Sequence, residues 1–227
     1  MAIKLELTIE MSELRVRKAA RTRLALVRAL SSALVDHSFS DIRVKRICAE
    51  AELSEATFFN YFARKQDLMA YLAHLWLLEL GWHVQAAATR QRGLAVIEQL
   101  FLQVANTCER KPGVFRELLV WMARGGSLDP GITLSPVEKQ LAFPELDGIA
   151  DTPVKGIDRW LLTHLEAAVA DAELPPNVLI PLVLSSLLSL LLGVPMTLLS
   201  HDPQRIGSHY RQQLALLWAG VRTTSGG

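Results

Sequence analysis

The stretch Thr57-Phe58-Phe59-Asn60-Tyr61-Phe62, followed by Arg64 and Lys65, sets four aromatics within five residues beside two cations. A core needs one apolar face of a short helix, and this segment carries aromatics on two. Phe58 and Phe62 are four residues apart and share a face, so with Leu53 they are expected in the core. That leaves Glu55, Thr57, Phe59, Asn60 and Tyr61 pointing outward or sideways. An exposed Phe and Tyr among cations need a partner. DNA supplies one, with Phe59 in apolar contact with thymine methyls and sugars and the Tyr61 hydroxyl on phosphate.

Charge is distributed to match. The 227 residues carry a formal net charge of only +1, yet the segment from Arg15 to Lys65 holds 11 basic and 5 acidic residues. One end of the chain can therefore meet a polyanion, while the remainder is net acidic. Enzyme chemistry is not visible. The sequence has no GxGxxG, GxSxG, P-loop or HExxH, and its six histidines (His37, His74, His83, His164, His201, His209) are scattered. No cofactor and no metal are expected. Cys48 and Cys108 lack metal-ligand spacing and read as buried core thiols of a reducing cytoplasm. The N-terminus places acids where an export signal would carry an apolar run.

The elements that must position the aromatic segment are nearly all helical, and strand alternation is not evident. A first helix from about Ser12 to Asp36 carries the stripe Leu26, Val27, Leu30, Ala33 and Leu34. After His37-Ser38, Phe39 returns to the core. A short helix, about Val44 to Ala51, turns Val44, Ile47, Cys48 and Ala51 inward. Glu52-Leu53-Ser54 is a turn, with Ser54 as N-cap of a helix from Glu55 to Phe62. A long helix from Lys65 reaches about Thr89, with Gly81 a candidate bend. Helices are then expected over Gly93 to Arg110, Val114 to Arg124, Val137 to Leu141 within an irregular 127–151 region, and Val154 to Ala172, the last capped by Thr152-Pro153. The uncharged run Val178 to Ser200 is long enough to span a bilayer. Its serines and prolines favour a covered helix at a subunit interface instead, and no membrane partner is expected. A final helix runs from Asp202-Pro203 to about Val221.

Three short helices in about 50 residues, with a tight turn between the second and third, outline a helix-turn-helix whose third helix enters the major groove. From about Leu26 to Leu68 the chain resembles the DNA-binding domain of the TetR family of bacterial transcription regulators. The carrying residues are the stripe Leu26 to Leu34, then Phe39, Val44, Ile47, Leu53-Ser54, and above all TFFNYF at 57–62 with Lys65, Asp67 and Leu68. The resemblance implies that Thr57, Phe59 and Tyr61 approach phosphates and groove edges, with Asn60 near bases or backbone. It implies Lys65 on a phosphate at a helix start, Lys45 on a base or phosphate, and Arg43 and Arg46 on the backbone. Arg15, Arg17, Lys18, Arg21 and Arg23 would track a phosphate strand or the minor groove. Three positions depart from the family pattern. Glu52 stands where glycine is usual, at a cost of about 1 kcal/mol if φ is positive. Arg43 replaces a Ser or Thr cap at about 1 kcal/mol, and Ser38 replaces a glycine.

The expected architecture is all-α: a helix-turn-helix domain with an N-terminal arm over 1–64, and a larger effector-binding and dimerisation domain over 65–227. The resemblance implies a pocket among the middle helices, for which Leu80, Val84, Leu100, Val104, Leu118, Trp121, Trp160 and His164 are candidates. So apolar a lining favours a hydrophobic or aromatic effector. The resemblance also implies a homodimer built from the last two long helices. Their apolar residues Leu184, Leu187, Leu188, Leu191, Leu214, Leu217, Trp218 and Val221 suit a four-helix seam. The reading is a ligand-responsive repressor of a near-palindromic operator. A helical adaptor that has lost DNA binding is the alternative, and a helical enzyme is remote.

Overall fold

The computed structural model describes residues 2–126 and 132–224, with side chains over 13–126 and 132–223. Among the described residues every regular element is helical: α1 Ala2–Ala33, α2 Val44–Glu50, α3 Glu55–Tyr61, α4 Lys65–Ala88, α5 Gly93–Arg110, α6 Pro112–Ala123, α7 Pro136–Ala142, α8 Ile157–Ala170, α9 Ile180–Leu198 and α10 Ile206–Thr224. Short 3-10 turns occupy Ile149–Asp151 and Pro203–Arg205.

Three boundaries move from their expected places for identifiable reasons. α1 begins at Ala2 rather than Ser12, since residues 2–11 hold no proline or glycine to stop a helix. Pro112 does not separate two helices but opens α6, where a missing N–H costs nothing. Thr152 does not cap α8, which starts at Ile157 behind Gly156. Its hydroxyl instead donates to the Gly148 carbonyl at 3.3 Å, and its own carbonyl accepts from Lys139 Nζ at 2.7 Å.

The chain forms two compact units, Met1–Glu79 with Trp121–Thr152, and Leu80–Val120 with Pro153–Gly227. The boundary expected at 64/65 coincides with the start of α4, but the first unit continues along α4 to Glu79 and recruits α7.

In the first unit α1 packs on α2 and α7, and α2 on α3. The predicted stripe Leu26, Val27, Leu30, Ala33 and Leu34 is buried, joined by Ile42, Ile47, Phe58 and Leu68. Each such aliphatic side chain contributes about 1.5–3 kcal/mol of burial energy, which makes this core a rigid seat for α3. α7 is held by a capping box that SPVE at 135–138 encodes. Glu138 N donates to Ser135 Oγ at 3.2 Å and Ser135 N to Glu138 Oε2 at 2.9 Å.

In the second unit α5 packs on α8 and α10, and α9 on α8 and α10. Tyr210 sits at its centre, perpendicular to Phe101 with ring centroids 4.9 Å apart, and donates to the Leu191 carbonyl at 2.7 Å. Gly81 is not a hinge in α4, which runs unbroken through it. A Cβ there would lie 2.4 Å from the Trp160 indole, so glycine is what admits that ring against the helix.

Candidate nucleic-acid interface

The turn between α2 and α3 fixes how α3 is presented. The Leu53 N–H closes back on the Cys48 carbonyl at 2.9 Å, which requires a left-handed residue between them. Glu52 takes that conformation with φ 55°, as its alignment with a usual glycine implies. Ser54 then caps α3, accepting the Thr57 N–H at 3.0 Å. Arg43 stands at the N-cap of α2 without a side-chain cap bond. Ser38 keeps an ordinary negative φ: among the described residues, the non-glycine residues with positive φ are Glu52 and Ala172.

Aromatics sort onto two faces of α3 as the i, i+4 spacing requires. Phe58 is 0% and Phe62 5% exposed, whereas Phe59 is 53% exposed. Phe62 packs on both Phe58 and Tyr71, with centroids 5.9 and 5.5 Å away. Phe59 is not loose: its ring meets the edge of Phe58 at 5.2 Å and 79°. Glu55, Ala56, Phe59 and Asn60 form the open face, and Thr57 and Tyr61 are half-buried at its edges. The Thr57 hydroxyl is engaged with Ser54 Oγ at 2.8 Å. Arg43, Lys45 and Arg46 on α2 are exposed, as are Arg15, Arg17, Lys18 and Arg21 on α1. α3 itself carries a single charge, the carboxylate of Glu55.

Two cations have tasks that the sequence did not suggest. Lys65, expected on a phosphate, points its ammonium inward. It donates to the carbonyls of Phe39 at 2.6 Å, Ile42 at 2.7 Å and Ser40 at 3.4 Å, and lies 4.4 Å from the Phe39 ring centroid. Three carbonyls use its three donors, so in this conformation Lys65 ties down the loop before α2 rather than reaching for DNA. Partial burial lowers its pKa, with nearby Asp41 opposing. Arg23 leaves the basic cluster altogether. It pairs at 2.9 Å with Glu138, which also accepts the Tyr71 hydroxyl at 3.0 Å and the Ser135 hydroxyl at 2.8 Å. Glu138 is 3% exposed, so this is a buried carboxylate with its lone pairs filled. The S-x-x-E pattern was legible; its burial against α1 was not.

Of the effector candidates, Leu80, Val84, Leu100, Val104, Leu118 and Trp160 are all buried in the second unit. His164 is half-buried there, and desolvation holds its pKa below the usual imidazole value. Trp121 belongs to the first unit, so it is not grouped with them. A cleft of about 580 Å³ in the second unit is lined by other residues, among them Trp82, His83, Arg90, Gln99 and Gln103.

The dimer candidates divide. Leu187, Leu191, Leu214 and Trp218 are buried inside the chain's own unit and are not available to a second copy. Leu184, Leu188, Leu217 and Val221 are half-buried. The open apolar face of these helices is instead Leu182 (61%), Leu192, Met196 (69%) and Leu216. α9 is long and apolar enough to cross a membrane by length and composition, with 28% of its apolar window buried. It packs one face on α8 and α10, so the covered-all-round expectation holds for that face alone.

A helix-turn-helix followed by further helices has solved counterparts. A Thermus thermophilus TetR-family transcriptional repressor, FadR, in complex with lauroyl-CoA, matches with TM-score 0.59 at 20% identity over 87% of this chain and 94% of its own. The fold is that of TetR-family regulators. A ketosteroid transcriptional regulator of Mycobacterium tuberculosis matches the TetR fold of this chain with TM-score 0.56 at 13% identity, over 88% of this chain and 94% of its own. A γ-butyrolactone receptor matches with TM-score 0.56 at 16% identity, over 89% and 98%. No protein-family model and no curated protein sequence matches the chain.

Proposed function

We propose that the protein is a dimeric, ligand-responsive transcription regulator, a cytoplasmic repressor that binds a near-palindromic operator through α3. The observation that carries this reading is the open face of α3, where a fixed aromatic ring, Phe59, stands 53% exposed beside Asn60. A buried core gains nothing from that ring, and the major groove does. Arg43, Lys45 and Arg46 flank the face as phosphate contacts, with Thr57 and Tyr61 at its margins. Two copies would place two α3 helices in successive major grooves, with half-sites about 34–36 Å apart.

The dimer seam proposed is the open face of α9 and α10, centred on Leu182, Leu192, Met196 and Leu216, with Leu184, Leu188, Leu217 and Val221 at its flanks. The fold's counterparts support a small-molecule effector: one holds lauroyl-CoA and another is a γ-butyrolactone receptor. The apolar residues Leu80, Val84, Leu100, Val104, Leu118 and Trp160 support a hydrophobic or aromatic one, with His164 as its polar contact. α4, which starts beside α3, would carry the effector's influence, with a coupling of order 1–3 kcal/mol.

The test is a selection of genomic fragments by the purified protein, repeated with Phe59→Ala/Asn60→Ala. A palindromic site lost in the double variant supports the reading. A folded dimer that enriches no site at low salt sinks it and leaves the adaptor alternative.

A further inference from the structure

We propose that Glu55 is a specificity determinant that selects cytosine in each operator half-site, with Phe59 reading a thymine one or two base steps away. The inference rests on the regulator reading and deepens it. Glu55 opens α3, is exposed, and takes no hydrogen bond or ion pair among the described residues. Capping of the helix is done by Ser54, which accepts the Thr57 N–H at 3.0 Å, so Glu55 is not needed for that bond. It shares the open face with Ala56, Phe59 and Asn60, and none of these carries a charge to neutralise it.

A carboxylate on the face that meets DNA has few acceptable neighbours. It repels phosphates, and in the major groove it repels guanine N7 and O6 and thymine O4, which are all acceptors. Adenine offers its amino group only beside the N7 acceptor. Adenine N6 lies between two acceptors, its own N7 and the O4 of the paired thymine, whereas cytosine N4 has one, the O6 of its paired guanine, with only C–H on its other side. Guanine or thymine would strip water from the carboxylate and return no hydrogen bond, and adenine would return one only at the cost of two flanking acceptors. Specificity would therefore come largely from rejection of wrong sequences.

Phe59 adds the second base. Its ring is held edge-on by Phe58 at 5.2 Å, so it meets the groove already oriented, and an apolar ring favours the thymine methyl. Glu55 and Phe59 are four residues apart, about 6 Å along a helix at 1.5 Å per residue, against 3.4 Å per base step. That distance sets the one- or two-step separation.

The experiment is selection from a random duplex library by the full-length protein and by its Glu55→Gln, Glu55→Ala and Phe59→Ala variants, with helicity checked for each. Wild-type sites should carry cytosine at one position of each half-site, at a discrimination of roughly 5- to 150-fold. Glu55→Gln should move that position toward adenine, which an amide pairs with through N6 and N7. Glu55→Ala should accept all four bases there and bind random DNA more tightly, and Phe59→Ala should lose the thymine. A structural role for Glu55 at the helix start would change affinity evenly and leave the selected bases alone. An enriched wild-type site whose bases are unchanged in both Glu55 variants overturns the proposal while leaving the regulator reading intact. A wild-type protein that enriches nothing overturns both.

Discussion

Arg23 of α1 and Glu138 of α7 are joined by a 2.9 Å ion pair, with the Arg23 side chain 33% and the Glu138 side chain 4% exposed. The pair spans 115 residues of sequence and fastens α7 to the first helix of the first unit. A buried carboxylate with four filled acceptor sites is expensive to disturb from one side. Glu138→Ala removes the pair, the Tyr71 bond and the capping box together, so a loss of about 3–5 kcal/mol is expected. Glu138→Gln keeps the shape and part of the bonding and should lose less. Urea unfolding of the three proteins checks the order, and an Ala variant as stable as wild type would show that α7 is not fastened by this contact.

Lys65 offers a sharper discrimination. As a phosphate contact it would contribute about one unit to the slope of log K against log salt. As the tie for Phe39, Ser40 and Ile42 it contributes to stability instead. Lys65→Met should therefore unfold about 1.5–3 kcal/mol more easily, the range for hydrogen bonds to a charged group, while the salt slope of DNA binding stays as in wild type. A lowered slope with unchanged stability would restore the phosphate role.

Much of this molecule could be read from its residues, and the failures share a cause. The stripe Leu26 to Leu34, the Ser54 cap and the split of Phe58 and Phe62 from Phe59 are local matters of helical period, and local patterns settle them. Lys65 looked like a phosphate contact because sequence places it at a helix start. It does not say that the carbonyls of Phe39 and Ile42, 26 and 23 residues earlier, lie within reach. Arg23 shows the same limit, since its carboxylate partner is 115 residues away. In α9 and α10 the apolar residues were legible, but not which of them face inward. Leu187 and Leu182 are the same residue type, 0% and 61% exposed.

Backbone strain gives a paired prediction. Among the described residues, Glu52 and Ala172 are the two non-glycine residues with positive φ, at 55° and 57°. A side chain in that region costs about 1 kcal/mol more than glycine does. Glu52→Gly and Ala172→Gly should each stabilise the protein slightly, by up to about 0.5 kcal/mol, because the added freedom of glycine in the unfolded chain takes back about 0.4–1 kcal/mol. Thermal unfolding of each variant, and of the pair, checks this. The two sites lie in different units, so their effects should add. Glu52→Gly also removes a carboxylate from the turn before α3, so non-specific DNA binding should strengthen with it. Ala172→Gly serves as the control that changes stability without that gain.

His164 predicts the direction of pH dependence. Desolvation holds its pKa below the ordinary imidazole value, so the unfolded chain binds a proton at a higher pH than the folded one. The folded state is then at its best, for this group, above the unfolded value of about 6.5. As pH falls through that value toward the depressed folded one, the unfolded state takes up protons first and stability declines. His164→Gln should remove this part of the acid sensitivity, so its melting temperature should fall less than wild type between about pH 7.5 and 5. Parallel curves for the two proteins would mean that His164 is as well hydrated in the fold as out of it, and it would then be a poor choice for the polar contact of an apolar effector site.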